Sequence, residues 1–307
     1  MNKTIIITGA NAGLGKEAAR QLALKQETEK IYLACRNESK ARAAQAELEE
    51  VTGRSIFQIM IVDVSDPQSV TSAVTGLSEP VDALIMNAGG MGGRNSGDLT
   101  EEGVSHLFAV NVLGHVVMLE ALLTSDKLKN VAMYAGSEGA RGVKKMGMKR
   151  PDLKSYSVEE FAAIFDGSFF EDGYDPMELY AYVKYTAALW MSALSRKYPQ
   201  IKFITMSPGA TSGTNVMDDL PLFKKIMFKY VGFPVLMPLL GMVHSIEKGA
   251  ARYVQAISDD SLVSGKFYAS SENRLTGPVM DQTDIFPDLA NETYQDNAYQ
   301  AVLSVVS

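Results

Sequence analysis

An α/β protein built on one doubly wound parallel sheet is the fold class this sequence predicts, and three observations predict it. Short β-branched or apolar runs alternate with helix-like stretches from Thr4 to Ala269. That is the pattern of βαβ units, which give a parallel sheet covered on both faces. The first run, Thr4–Thr8, stops at a glycine-rich turn, Thr8-Gly9-Ala10-Asn11-Ala12-Gly13-Leu14-Gly15. Finally, 307 residues that are 46% hydrophobic, with no repeat or linker to divide them, supply one large core. A single domain over 1–307 is expected.

Taken in order, Thr4–Thr8, Ile31–Cys35, Ile56–Val62, Val81–Met86, Asn130–Ala135, Ile201–Met206 and Lys266–Ala269 are expected strands. Continuous apolar runs are what a sheet buried on both faces selects. The expected helices are Leu14–Lys25, Ser39–Val51 with Ser39 as its cap, a stretch capped by Ser65 and ending at Thr75, Thr100–Thr124, Glu178–Lys197 and Ile246–Ile257.

Two segments break the alternation. One is an insertion at about 138–177, in which Ser157–Phe165 reads as a helix with a capping box at its start. The other, about 212–245, is expected to be an apolar substrate lid. From Tyr230 to Val243 it runs 14 residues without a formal charge, too short to span a bilayer, and Pro234 and Pro238 disfavour one helix. So much apolar surface suits a cover over a bulky apolar substrate. A peripheral membrane contact is a rival, because Leu222, Phe223, Ile226, Met227 and Tyr230 could share a face with Lys225 and Lys229 beside it. Plain packing is the other rival.

The 29 basic and 36 acidic residues leave a net charge of −7, which disfavours nucleic acid as a partner. A single cysteine, Cys35, rules out an intrachain disulfide. His106, His115 and His244 stand apart without metal-ligand spacing, so no metal is expected and each reads as an ordinary core or surface residue. The sequence Met1-Asn2-Lys3 runs directly into the first strand, without the apolar core of a signal peptide. A soluble cytoplasmic protein is the expectation.

The glycine turn carries the first functional signal. Between a strand and a helix the chain must turn sharply, admit a pyrophosphate to its backbone and pack the helix closely, and each task favours glycine. The helix then aims its first N–H groups at the phosphates. Gly9, Asn11, Ala12, Gly13, Leu14 and Gly15 are therefore candidate dinucleotide ligands, and the fold is expected to be of the Rossmann type.

The spacing is Thr-Gly-x-x-x-Gly-x-Gly, and with it the sequence resembles the short-chain dehydrogenase/reductase family, in its compact single-domain branch. Asp63-Val64, Asn87-Ala88-Gly89, Asn111, Ser137, Tyr180-Ala181-Tyr182-Val183-Lys184 and Pro208-Gly209 continue the match in chain order. Within the family, Ala34-Cys35-Arg36-Asn37 and the stretch from Ser207 to Thr214 look like retinol dehydrogenase and protochlorophyllide reductase relatives. The resemblance implies that Asp63 meets the adenine amine and that Asn87-Ala88-Gly89 lies near the adenosine ribose. It implies further that Pro208-Gly209 closes beneath the nicotinamide; Thr214 could then cap the segment that follows or bond the carboxamide and phosphates.

Strand two ends at Arg36-Asn37 with no acid before Glu38. An acid there would repel a 2′-phosphate, whereas Arg36 grips it, so NADP(H) is the expected cofactor.

A Tyr-x-x-x-Lys match is cheap in a chain with 13 tyrosines, and there are two, Tyr180/Lys184 and Tyr198/Lys202. Pro199 interrupts the second; the first lies in a good helix, where residues four apart share a face. A tyrosine with a pKa near ~10 is a poor base at neutral pH, and the Lys184 ammonium, with the positive charge of the oxidised nicotinamide, is expected to lower it. Tyr180 then gives its proton to a carbonyl oxygen in reduction and takes it back in oxidation. By resemblance, Ser137 holds the substrate oxygen, Lys184 also bonds the nicotinamide ribose, and Asn111 holds a water that relays protons toward Lys184.

The expected activity is NADP(H)-dependent interconversion of a carbonyl and an alcohol on a small-molecule substrate. A dinucleotide-sensing protein without turnover, and double-bond reduction like that of protochlorophyllide reductases, remain as alternatives. Monomer and homodimer are both open. The 42 residues between Ser137 and Tyr180 are more than the family usually has, and a similar insertion in carbonyl reductases blocks pairing.

Overall fold

A computed structural model describes residues 2–144, 147–171, 173–212 and 242–306. Its strands are β1 (Thr4–Thr8), β2 (Lys30–Cys35), β3 (Phe57–Ile61), β4 (Val81–Met86), β5 (Leu128–Ala135), β6 (Lys202–Met206), β7 (Lys266–Ser270) and β8 (Val279–Asp281). They form one sheet in the order β3-β2-β1-β4-β5-β6-β7-β8. Neighbours are parallel except β7 and β8, which are antiparallel.

The helices are α1 (Gly13–Ala23), α2 (Glu38–Thr52), α3 (Pro67–Thr75), α4 (His106–Thr124, with a wide turn at Ala109–Leu113), α5 (Val158–Asp166), α6 (Pro176–Lys197), α7 (Ile246–Ser258) and α8 (Glu292–Ser304). They cover both faces of the sheet, which is why its strands read as unbroken apolar runs. Ile5 and Ile7 of β1 pack with Ala19 and Leu22 of α1, Leu48 of α2 and Tyr253 of α7. Ile6, between them, points to the opposite layer with Val70 of α3, Leu119 of α4 and Trp190 of α6. By length and apolarity α4 could cross a membrane, but most of it is buried in this second layer.

Three of the differences between expected and observed helix starts concern how the first turn is capped. Asn37, not Ser39, caps α2, accepting from the Lys40 N–H at 3.0 Å, and the Ser39 hydroxyl donates to it at 2.7 Å. Asp66, not Ser65, caps α3, accepting from the Gln68 and Ser69 N–H groups, while Pro67 occupies the first helical position. Thr100 does not begin α4. Gly103, at φ +76°, closes a turn in which the Thr100 N–H donates to Val104 at 2.8 Å, and Ser105 supplies the cap.

In the insertion, Ser157 caps α5 and accepts from the Glu160 N–H at 3.2 Å. The capping box is not closed, because the Glu160 carboxylate accepts instead from the N–H groups of Lys154, Ser155 and Tyr156. The sequence reading missed α8, which packs against α6 and α5. Its Ala298, Ala301 and Val302 are fully buried, and Arg196 of α6 pairs with Asp296 at 2.6 Å. From Leu179 to Leu194 every residue of α6 is buried except Tyr180, which is partly exposed.

Candidate active site

The strand order reverses at β1 and β4, so the loops that follow them leave to opposite sides and open a crevice at the carboxyl edge of the sheet. The glycine turn lies there. Gly9 (φ +67°) and Gly13 (φ +56°) adopt left-handed backbone, and the Gly9 N–H donates to Ala34 at 2.8 Å. A Cβ on Gly15 would stand 2.6 Å from both Gly9 O and Asn87 Nδ2, so no larger residue lets α1 come this close. Ala12 begins α1 without a side-chain cap. Its first N–H groups thus face the crevice with no protein side chain to satisfy them, as an anion site requires. Asn11 and Leu14 are half-buried beside them.

The loop after β4 locks onto this turn. The Asn87 and Ala88 N–H groups both donate to Thr8 Oγ1 at 2.9 Å, and Asn87 Nδ2 donates to Thr8 O at 2.9 Å. Gly89 is at φ +145°, and a Cβ there would meet Asn111 Oδ1 at 2.5 Å. Asn111 clamps the next residue, donating to Gly90 O at 2.7 Å and accepting from Gly90 N–H at 3.2 Å. Val64 runs against α4 where Gly114 leaves room for its carbonyl.

At the end of β2, Arg36 is 73% exposed and touches Asp63 at 3.5 Å. Asp63 accepts from the Ser65 N–H and hydroxyl at 2.9 and 2.6 Å. Burial works to raise its pKa, but those bonds and Arg36 outweigh it, so the carboxyl stays below its ordinary range. After β6, Pro208 O accepts from His244 Nε2 at 2.6 Å, and Gly209 (φ +72°) is packed against Leu275, Arg252 and His244. Thr214, and the lid segment apart from its ends at residue 212 and at 242–245, lie outside the described residues.

Tyr180 and Lys184 occupy one face of α6. Ser137 caps the short turn Glu138–Arg141 after β5, accepting from the Gly139 N–H at 3.1 Å, and its hydroxyl hydrogen-bonds Tyr180. Burial pushes Tyr180 up to about 12, against the downward pull of Ser137. Burial also brings Lys184 down to about 7. Lys184 Nζ is 5.5 Å from the Tyr180 ring centre and donates instead to Tyr134 Oη at 3.1 Å and Ala135 O at 2.9 Å.

Asn111 is bonded through both its side chain and its main-chain carbonyl. Its amide holds Gly90 O and Leu107 O, and its carbonyl accepts from Tyr134 at 3.0 Å and faces His115 Nδ1 at 3.0 Å. Thr8, Tyr134 and His115 are the site residues that sequence reasoning missed. Only Thr8 left a signal, as the first residue of the glycine motif.

The family model for short chain dehydrogenases matches residues 3–139. The chain is 30% identical over 224 residues to "Dehydrogenase/reductase SDR family member 12" of Bos taurus, a match covering 72% of this chain and 64% of that protein. It is also 30% identical over 276 residues to "Short-chain dehydrogenase TIC 32 A, chloroplastic" of Brassica napus, covering 87% and 79% respectively. Among solved structures, the L-sorbose reductase of Gluconobacter frateurii, complexed with NADPH and L-sorbose, superposes with a TM-score of 0.62 at 18% identity. That similarity covers 90% of this chain and 97% of the other.

Proposed function

This chain is a member of the short-chain dehydrogenase family, and from that premise we propose that it interconverts a carbonyl and an alcohol with NADP(H). The observation that carries the reading is the placement of Tyr180, Lys184 and Ser137 together at the carboxyl edge of the sheet, beside a glycine turn at an uncapped helix start.

The residues present fit the dinucleotide. Gly9–Gly15 and the first N–H groups of α1 would hold the pyrophosphate, with Asn11, Ala12 and Leu14 lining it. Arg36 and Asn37 would meet the 2′-phosphate, Asp63 and Val64 the adenine, and Asn87-Ala88-Gly89 the adenosine ribose. Lys184 would bond the nicotinamide ribose, and Pro208-Gly209 would lie beneath the ring. When bound, NADPH supplies a hydride to the carbonyl carbon. Tyr180, protonated at neutral pH, gives its proton to the carbonyl oxygen while the Ser137 hydroxyl steadies that oxygen. An NADPH-oxidation screen against aldehydes, ketones and quinones tests the reading. No turnover with any carbonyl would sink it.

Cofactor choice rests on Arg36. Arg36→Ala should weaken NADPH binding roughly ten- to hundredfold, the worth of a lost charge-assisted contact, and should leave NADH almost unaffected. Fluorescence titration measures both, and an unchanged NADPH Kd rejects the assignment.

The apolar composition of 217–244, next in sequence after Pro208-Gly209, supports a bulky apolar substrate. Higher catalytic efficiency for acetone than for a long or polycyclic carbonyl would reject that. The covering of α6 by α5 and α8 supports a monomer. Light scattering should then give 33.3 kDa at micromolar concentration, and twice that mass would reject it.

A further inference from the structure

Lys184 is tied to the cofactor side of the crevice by a chain of buried side chains joined through the main-chain carbonyl of Asn111. Its Nζ donates to Tyr134 Oη at 3.1 Å, and that hydroxyl donates to the Asn111 carbonyl at 3.0 Å. The same carbonyl lies 3.0 Å from His115 Nδ1. A carbonyl can only accept, so Nδ1 carries the imidazole proton. Burial pulls His115 down to about 4 and keeps it neutral, so Nε2 is an acceptor and the Thr8 hydroxyl donates to it at 2.9 Å. Thr8 Oγ1 in turn receives the Asn87 and Ala88 N–H groups.

Asn111 sits in the wide turn of α4, where the Gly114 N–H reaches back five residues to Ala109 O. Such turns displace the regular ladder and recur at functional sites.

We propose that Tyr134 is a positioning residue whose hydroxyl holds Lys184 charged and aimed along the helix face it shares with Tyr180. The Asn111 main-chain carbonyl, which accepts that hydroxyl's proton, fixes it in turn. The proposal rests on the carbonyl-reduction reading for its catalytic meaning, but not for its geometry.

Among the described residues, the titratable groups acting on this cluster are Tyr180 on α6, Tyr134 on β5, His115 on α4 and Tyr253 on α7. Burial raises all three tyrosines and lowers the histidine, so each is neutral at pH 7. Among the described residues no carboxylate acts on the ammonium, and the two oxygens of Tyr134 and Ala135 carry that task. With Lys184 at about 7, its charge is present below that pH and lost as pH rises through it. Removing an acceptor lowers the midpoint further.

The test is a pH titration of the full chain labelled with 15Nζ-lysine, the Lys184 signal being assigned by its loss in Lys184→Arg. It is run beside the pH profile of kcat for the best carbonyl found by screening. Tyr134→Phe keeps the ring packed on Trp190 and should lower the Lys184 midpoint by about one unit. The high-pH limb of kcat should move with it, with little change in KM. His115→Leu leaves both Nζ partners in place and should leave the midpoint where it was. An unchanged midpoint in folded Tyr134→Phe, or an equal shift in His115→Leu, overturns the proposal. Should Tyr134→Phe fail to fold, the wild type decides. Its Lys184 Nζ hydrogens should exchange with solvent more slowly than those of exposed lysines, and fast exchange overturns the proposal. The titration needs no turnover, so a wild type that reduces no carbonyl rejects the functional reading while Tyr134 is still judged by its own result.

Discussion

Tyr180→Phe is expected to lose carbonyl reduction by about 10²–10⁴-fold, the usual worth of a positioned proton donor, while folding and binding NADPH as before. The ring still packs against the core, and only the oxygen facing Ser137 is removed. Because Tyr180 is pushed up to about 12, the wild type holds it protonated across the neutral range. Proton donation is therefore available at pH 7. The reverse reaction, which needs the phenolate, should accelerate as pH rises. Steady-state rates with NADPH Kd and thermal midpoint as controls make the comparison. Substantial turnover in the purified, folded variant would falsify the assignment.

The second large effect is on stability. Glu138, next to Ser137, is 5% exposed and lies between two buried guanidiniums, Arg141 at 2% and Arg252 at 6%. One carboxylate oxygen accepts from Arg141 Nε at 2.6 Å. The other accepts from the Ser207 hydroxyl at 3.2 Å and the Ser270 N–H at 3.0 Å, with Arg252 at 3.7 Å. Arg141 also reaches Ser271 O and Arg274 O, while Arg252 reaches Ser207 O and Gly277 O. Glu138→Gln keeps the shape but leaves two buried cations without a counter-charge. Breaking a buried pair costs about 3–5 kcal/mol, and that loss is expected in urea unfolding, as a lower midpoint with the slope retained. A change below about 1 kcal/mol, the scale of an exposed pair, would mean that solvent reaches the cluster. The same carboxylate joins the Ser137 turn to the strand end before Pro208-Gly209, so the variant should also lose turnover.

Strands and site were legible in the sequence to different depths. β1 and β4 were read to the residue, because a strand buried on both faces leaves a continuous apolar run bounded by polar or glycine residues. β8 was missed because three residues, Val279–Asp281, are too few to show a period. α8 was missed because Glu292–Ser304 is polar around most of its circumference, and its few small apolar residues match a helix only once α6 is seen beside them. The caps erred by one or two residues wherever two capping residues stood close together, at Asn37/Ser39 and Ser65/Asp66.

In the site, Tyr180, Lys184, Ser137 and the glycines were visible through their spacing. Tyr134 and His115 were not. A lone polar residue within an apolar run looks like core whether or not its hydrogen bonds lead to a catalytic lysine, and here only the paths of those bonds distinguish the two.

The helix that seals α6 on its outer side belongs to a stretch made much later. At roughly 5–20 residues per second, the ribosome needs on the order of ten seconds to pass from Lys197 to the end of α8. For that interval the chain already holds β1 to β5 and the helix bearing Tyr180, yet lacks the cover for that helix. The nascent protein thus presents a sticky, half-finished surface on the outer side of the helix that carries Tyr180. Chaperones that shield such surfaces would have their strongest claim on this chain while residues 198–304 are being synthesised.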